Sequence, residues 1–303
     1  MFKGFKGLRS SRVQEFKSSR VQEMTLFVLI STIDRRILRV PDVLHEPEPD
    51  VHYVVVWQRT HQEMDAEVET QSADLSARND VTLVTLPGRG LSRSRNTAIK
   101  TVISSLKDPL DDAVCIIADD DVTYSCDAFG LVSSYYLQHP DVDIALMRMR
   151  SNIDKLYFKK YPDGDIDYRK RPRSYYVCSW EMTFRTRVWH AGIRFDERFG
   201  LGATKLCAGE EEIFMIDAID RGLRARIVPI DLGTTRPMST GLYLADTKVL
   251  RSRGAVYGYR YALPLAFLRS LKEAISLSIR MRTRFIPVFR KIWYGVRYIK
   301  FNV

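Results

Sequence analysis

The sequence predicts an α/β protein whose core is a mixed, mostly parallel β-sheet flanked by helices. Short, continuous apolar runs recur along the chain, as expected for strands that are buried on both faces. Segments with helical patterning separate several of these runs, and parallel strands need such crossovers. Charged and polar residues follow the runs directly, at the edge where ligands of parallel sheets bind.

The elements follow in order along residues 24–250, which we predict to form the body of the protein in two halves, 24–125 and 126–250. In the first half, apolar runs predict strands at 25–31, 52–57, 81–86 and 113–118, with a helix at 95–106. In the second half we predict a helix at 127–139, a strand at 144–149, a polar loop at 151–174 and a strand that starts at 175. A helix at 210–221 and a strand at 225–229 complete this half.

The two ends of the chain differ from this body. Residues 1–23 contain the hexapeptide SSRVQE twice, at positions 10–15 and 18–23, and we predict that they are a disordered or artefactual extension. Residues 251–303 contain twelve Lys and Arg but one acid, Glu273, so their formal charge is +11 in a chain whose net charge is +10. Residues 1–250 together therefore carry a formal charge of −1, and the tail is suited to an anionic surface.

The composition excludes several classes of protein. Hydrophobic residues make up 45% and charged residues 28% of the chain, which is typical of a globular domain. The four cysteines form no CxxC pair and no histidine stands at metal-ligand spacing from them, so the sequence argues against a zinc site and favours a reducing compartment. The sequence shows no apolar segment typical of a secretory signal and no run long enough to cross a bilayer. We expect a cytoplasmic protein.

The stretch VCIIADDDVTY places Asp119, Asp120 and Asp121 directly after a buried strand. Crowded carboxylates repel each other, and burial disfavours their charged forms. Hard carboxylate oxygens are preferred ligands of Mg²⁺ and Mn²⁺, so the triplet indicates a divalent-cation site. A solvated turn is the alternative that this motif alone leaves open.

Two further motifs carry candidate functional residues. The segment GRGLSRSRNTAIK at 88–100 combines two turn glycines with three arginines, Arg89, Arg93 and Arg95, which suit a phosphate, and its Ser94 is a candidate helix cap. This motif alone favours the alternative, a loop with solvent-facing arginines. The segment GEEEIF at 209–214 places three glutamates at a helix start, where the helix dipole favours acids and where a carboxylate is also a sensible general base.

Together the three motifs resemble family 2 glycosyltransferases of the GT-A fold. The order GxGLSxSRNxAI, an apolar strand ending in DDD, and FDERFG…GEEEIF about 90 residues later is more specific than any single motif. The resemblance covers residues 24–232 and is strongest to bacterial enzymes that build capsular and other surface polysaccharides. It implies the GT-A fold, with 24–125 as the nucleotide-sugar half and 126–250 as the acceptor half.

The resemblance also assigns roles to residues at the donor site. Asp119 and Asp121 match the outer acids of the D-x-D motif, which contact the nucleotide ribose and hold Mn²⁺ or Mg²⁺ on the diphosphate. Asp120 belongs to the same donor-binding group. Arg95 and Asn96 match the pair that supports this site. Further donor contacts are expected at the ends of the first two strands, from Thr32, Asp34 and Gln58.

The implied reaction transfers a sugar, from a UDP-sugar by preference, to a glycan or lipid-linked oligosaccharide with inversion at the anomeric carbon. Glu211 stands where the family has its catalytic base, and Glu210 is the alternative. Trp180 and Glu181 fall where the family lines the acceptor pocket.

The tail shows helical periodicity in two stripes. Leu268, Leu271, Ile275 and Ile279 share one helical face, and a second stripe includes Phe285, Phe289, Ile292, Val296 and Ile299. With its many Lys and Arg, the segment 264–303 reads as an interfacial helix on an anionic membrane, here the inner face of the plasma membrane. The alternative is that the stripes pack on the enzyme body or on a second subunit of a homodimer.

Three other functions compete with this interpretation. The basic, aromatic tail suits a nucleic-acid binder, but we expect no nucleic acid because the acidic edge of the body would repel phosphates. A sugar nucleotidyltransferase also uses paired aspartates and Mg²⁺, but the first strand is followed by STIDRRILRV, which lacks the expected glycine. A non-catalytic membrane protein that retains the fold is the third alternative.

Overall fold

The computed structural model describes residues 24–63, 65–108, 112–236 and 246–302, so the predicted extension at 1–23 lies outside them. The described chain forms one mixed nine-stranded sheet, in which eight strands follow the order β3-β2-β1-β4-β8-β6-β9-β5 and β7 pairs with β9. The strands are β1 Leu26–Ile33, β2 Val51–Arg59, β3 Val81–Pro87, β4 Val114–Asp119, β5 Thr123–Tyr124, β6 Ile144–Ser151, β7 Ile166–Asp167, β8 Met182–Arg185 and β9 Ala225–Thr235. β1 to β4 are parallel, as predicted, and β8 runs antiparallel to both neighbours, β4 and β6.

Helices cover both faces of the sheet, as α1 Ala66–Ala77, α2 Leu91–Ser105, α3 Ala128–Gln138, α4 Arg187–His190 and α5 Glu210–Asp220. Successive residues of β1 point to opposite faces, so Val28 and Ile30 enter one buried cluster while Phe27 and Leu29 enter the other. The continuous apolar runs of the sequence thus belong to strands that are covered on both sides.

Several boundaries differ from the predictions. Helix α2 begins at Leu91 rather than at residue 95, and Ser94 is not its cap, because its hydroxyl donates to Ser31 Oγ at 2.8 Å from inside the helix. Helix α1 was not predicted, because it buries only Val68 and Leu75. The strand expected from residue 175 begins at Met182, after a single 3-10 turn at Ser179–Glu181.

The C-terminal part folds into three helices, α6 Thr247–Arg260, α7 Leu263–Arg280 and α8 Phe285–Phe301. The predicted boundary at 250 falls inside α6. Helices α6 and α8 cross at glycines, since a Cβ on Gly254 would lie 1.7 Å from the Ile292 carbonyl oxygen and one on Gly295 would lie 1.9 Å from that of Arg251. Larger residues could not be accommodated at this crossing.

The two apolar stripes of the tail have different surroundings. Ile292 and Val296 of the second stripe are buried against Gly254 and Gly258 of α6. Ile299 of the same stripe packs against a cluster that includes Phe199 and Ile213 of the body. Helix α7 instead buries small residues, Ala266, Ser270 and Ala274, and leaves Leu268 58% and Ile279 74% exposed. Among the described helices, none is both long and apolar enough to cross a membrane.

Candidate active site

The candidate site lies at the carboxyl edge of the parallel strands. Ser31 of β1 is level with Asp119 of β4, and Ile33 is level with Gln58 of β2. The aspartate triplet therefore emerges beside the ends of the first two strands, as the sequence predicted from the doubly covered sheet.

Arg95 joins this edge to the glutamates of α5. Its side chain is 1% exposed, with Nη1 3.2 Å from Glu211 Oε1 and 3.3 Å from Glu210 Oε1, and Nη2 3.4 Å from Asp119 Oδ1. Burial lowers the pKa of a guanidinium, but the three carboxylates outweigh it and raise the pKa of Arg95. One buried cation thus holds together acids that lie more than 90 residues apart in sequence.

Helix α2 also fixes the loop that precedes α5. Ser92 Oγ donates to the Phe199 carbonyl at 2.8 Å, and the Leu91 amide donates to the Leu201 carbonyl at 2.8 Å. Asn96 accepts from the Phe195 amide at 2.9 Å and donates to its carbonyl at 2.8 Å. Asn96 therefore supports the site through this loop, and its amide faces the loop rather than the aspartates.

Asp120 is built into the core of the edge. Its carboxylate is 1% exposed, accepts from Thr32 Oγ1 at 2.7 Å and pairs with Arg36. Burial raises the pKa of Asp120, and the Thr32 and Arg36 contacts oppose that rise. Thr32 and Asp120 therefore bind each other. Arg36 is a further residue of the site, to which no sequence motif assigned a role.

Asp34 and Gln58 hold the ends of neighbouring strands in place through hydrogen bonds. Asp34, which has a positive φ of 45°, accepts from the amide and the hydroxyl of Thr60, both at 2.7 Å. Gln58 is buried, and its Oε1 accepts from the Gly90 amide at 2.7 Å. Both residues shape the predicted donor site through the backbone that they hold.

Asp119 and Asp121 remain partly open, with side chains 26% and 22% exposed. Burial, and then the Asp119 charge, raise the pKa of Asp121, so the pair carries a repulsion that a cation would relieve. The described residues hold no group of three or more His, Cys, Asp or Glu able to bind a metal by itself. Two carboxylates suit Mg²⁺ or Mn²⁺ when phosphate oxygens of a ligand supply further contacts.

The two candidate bases occupy different environments. Glu210 is 4% exposed, its Oε2 is buried without a hydrogen-bond partner among the described residues, and burial together with the Glu211 charge raises its pKa to about 8. Glu211 has a side chain that is 16% exposed. The buried acid is held mostly protonated near neutral pH, whereas Glu211 reaches solvent.

A cavity of about 560 Å³ opens beside these acids. Asp119, Arg95, Glu210 and Glu211 line one side, and residues of α6 line another. Trp180 lines it as well, and its buried indole Nε1 has no hydrogen-bond partner among the described residues. The site thus offers carboxylates, a cation and an aromatic side chain around one space.

Glu181 does not reach this cavity. Its carboxylate is fully buried and accepts from Lys159 Nζ at 2.7 Å, from Tyr161 OH at 2.5 Å and from Tyr175 OH at 3.0 Å. Burial raises the pKa of Glu181, and the Lys159 ammonium opposes that rise. In this conformation Glu181 fixes the 159–175 segment behind Trp180 and cannot itself contact an acceptor, contrary to the expectation from the resemblance.

Comparisons with known proteins agree with this fold. The sequence matches no protein-family model. It also matches no curated protein. Among solved structures, residues 1–349 of S. aureus TarS share 12% identity with this chain at a TM-score of 0.55, covering 91% of it and 90% of the TarS chain. The same fragment in complex with UDP gives a TM-score of 0.53 at 12% identity.

A longer TarS structure gives a TM-score of 0.52 at 17% identity, covering 86% of this chain and 44% of that one. TarS is a family 2 glycosyltransferase with the GT-A fold. This chain therefore has the GT-A fold, and the fold class that the motifs implied is confirmed.

Proposed function

We propose that this protein is a glycosyltransferase that moves a sugar from a nucleotide-sugar, of the UDP class, to a hydroxyl group of a glycan or lipid-linked acceptor in surface polysaccharide synthesis. The observation that carries the proposal is the Arg95 cluster, in which the aspartate edge and the first turn of α5 meet beside one cavity. The structural likeness to a TarS fragment in complex with UDP supports the choice of nucleotide.

In the proposed reaction Glu211 is the base, because its carboxylate reaches solvent while Glu210 is buried. Glu211 takes the proton of the acceptor hydroxyl as that oxygen forms a bond to the anomeric carbon. The bond between the anomeric carbon and the diphosphate oxygen breaks, and UDP leaves with the electron pair. A single displacement of this kind inverts the anomeric centre.

Asp119 and Asp121 would hold a Mn²⁺ or Mg²⁺ ion, whose charge would stabilise the leaving diphosphate. Their partial exposure and hard oxygens support this proposal. Arg36 lies 3.6 Å from Asp121 and is 43% exposed, so it is placed to contribute positive charge on the same side. Asp34, Gln58 and Asn96 position the surrounding backbone.

Helix α7 would attach the protein to an anionic membrane on its cytoplasmic face. Its outward surface combines large apolar side chains, including Leu268 and Ile279, with the cations Arg269 and Lys272. Apolar burial and attraction to acidic lipids together drive such interfacial binding. This orientation suits an acceptor that is itself anchored in lipid.

The direct test is turnover. A panel of UDP-sugars is incubated with the protein and Mn²⁺, with water or added glycans as acceptor, and UDP release is measured. We expect release from at least one sugar and its loss in Asp121→Asn. Release of inorganic pyrophosphate from a sugar phosphate and UTP, without UDP release, would instead indicate a nucleotidyltransferase.

A further inference from the structure

The first helix of the tail forms one wall of the cavity. Helix α6 and the residue after it contribute Arg253, Val256, Tyr257, Arg260 and Tyr261 to the lining. These residues belong to the segment 251–303, for which the sequence predicts a tail suited to an anionic surface. The structure instead brings them opposite the acids of α5.

Helix α6 is held firmly against the catalytic half. Tyr259 OH donates to Asp217 Oδ1 of α5 at 2.8 Å, and Ser252 Oγ accepts from the Ala208 amide at 3.3 Å. The two segments also touch closely, since a Cβ on Gly209 would lie 2.9 Å from Val256 Cγ2. This wall of the cavity is therefore formed before any ligand binds, and α8 packs on α6 at the glycine crossing.

The chemistry of this wall matches a sugar. Tyr257 and Tyr261, with ring centroids 6.4 Å apart, line the cavity together with Trp180 and Tyr176. Aromatic rings accept the apolar C–H faces of a pyranose, and polar groups fix its hydroxyls. Arg260 supplies such donors, and it is positioned by Glu212 at 3.3 Å.

A second observation points to a ligand at the same place. The indole N–H of Trp180 lies in a side chain that is 8% exposed and has no partner among the described residues. A buried N–H without a partner is costly, and Trp180 is also a cavity-lining residue, so a ligand hydroxyl that reached the indole would relieve this cost.

We propose that α6 and Trp180 form the acceptor subsite, which holds a pyranose ring. Tyr257 and Tyr261 stack on the sugar, and Arg260 and the Trp180 indole bind its hydroxyls. Acceptor selectivity then resides in the C-terminal helices rather than in the aspartate edge. This inference rests on the proposed function and adds the residues that choose the acceptor.

The test uses saturation-transfer difference NMR on the full chain with UDP and the diamagnetic ion Mg²⁺ present. The probes are methyl glycosides of glucose, galactose, mannose, N-acetylglucosamine and N-acetylgalactosamine. We expect a signal from at least one glycoside, reduced at least about fivefold in Tyr261→Ala and in Arg260→Ala. Tyr261→Phe should keep the signal, because the ring remains.

The matched controls are Arg297→Ala and Tyr294→Ala, which change the same residue types on α8 away from the cavity lining. They should keep the wild-type signal, and circular dichroism should show all variants folded. Absence of any glycoside signal in the wild type, or equal signals in Tyr261→Ala and Arg260→Ala, would overturn the proposal.

Calorimetry with UDP in the same samples separates this inference from the proposed function. If UDP binds and the cavity variants leave the glycoside signal unchanged, only the acceptor subsite is wrong. If UDP fails to bind while a glycoside signal depends on Tyr261 and Arg260, the subsite stands and the transferase proposal fails.

Discussion

Arg95 Nη1 lies 3.2 Å from Glu211 Oε1, and this buried ion pair joins the edge of the parallel sheet to the first turn of α5. The same guanidinium also contacts Glu210 and Asp119. The geometry of the proposed site therefore depends on one cation that no solvent screens.

Removal of that cation should destabilise the whole fold. Arg95→Met leaves the Asp119 and Glu211 carboxylates without their buried partner, and we expect a loss of about 3–5 kcal/mol in the free energy of unfolding, measured by urea denaturation. Arg89→Met changes an exposed arginine of the preceding loop and should shift this value by less than about 0.5 kcal/mol. Equal stability of both variants would show that the cluster does not hold the site together.

The raised pKa of Glu210 predicts a specific pH dependence of stability. Between the unfolded value of 4.5 and the folded value of about 8, the native state binds a proton that the unfolded state has released. Stability from this group is therefore present at low pH and is lost as pH rises through that window.

Glu210→Gln should remove this loss. Urea denaturation at each pH measures the free energy of unfolding. Relative to the variant, the free energy of unfolding of the wild type should fall by up to about 1.4 kcal/mol per pH unit as pH rises from about 5 to 8. Glu212→Gln, in the same turn, should keep the wild-type slope. Parallel curves for the wild type and Glu210→Gln would refute the assignment.

Glu211→Gln should separate chemistry from donor binding. Loss of a general base lowers kcat by about 10²–10⁴-fold, measured as UDP release, while UDP affinity stays within about twofold of the wild type because the proposed donor ligands Asp119 and Asp121 are unchanged. Asp220→Asn, at the exposed far end of α5 and outside the cavity lining, serves as control and should retain most of the activity. If Glu210→Gln rather than Glu211→Gln abolishes turnover at neutral pH, the roles of the two are reversed.

A glycine-to-alanine substitution should have opposite effects at Gly295, in the crossing of α6 and α8, and at Gly130, in α3. Gly295→Ala should cost at least about 1–3 kcal/mol, because its Cβ would lie 1.9 Å from the Arg251 carbonyl oxygen. Gly130→Ala in α3 meets nothing within 4 Å and should stabilise the protein by about 0.5–1 kcal/mol. Thermal denaturation measures both, and a neutral Gly295→Ala would mean that α6 and α8 separate easily.

Membrane attachment should depend on the outward face of α7. We expect the wild type to sediment with vesicles of phosphatidylglycerol and phosphatidylcholine, and less with phosphatidylcholine alone. The double variant Leu268→Ser and Ile279→Ser should lose most of this binding. Leu131→Ser, which changes another exposed leucine in α3, should not, and equal losses would argue against a specific surface.

The sheet and the acidic edge could be predicted because their signals are local. Each parallel strand reads as a continuous apolar run, and Asp119–Asp121 follow one such run directly. The antiparallel direction of β8 and the polar helix α1 left no comparable signal, since α1 buries only Val68 and Leu75.

The roles of individual site residues depend on distant partners. Asn96 binds the backbone of Phe195, and Gln58 binds that of Gly90, contacts that no local pattern reveals. Glu181 follows Trp180 in sequence but points into the core, where Lys159 neutralises it. The sequence predicts α6 as part of the tail because residues 251–303 are strongly basic, whereas its contacts with the body, such as Tyr259 OH to Asp217, join residues distant in sequence.

The most direct test of the central proposal is calorimetric titration of the protein with UDP, with and without Mn²⁺, for the wild type and for Asp121→Asn. We expect binding to the wild type that requires Mn²⁺ and is lost in Asp121→Asn, while Leu131→Ser binds as the wild type does. Absence of UDP binding under both metal conditions would contradict the assignment of the aspartate edge as a nucleotide-sugar site.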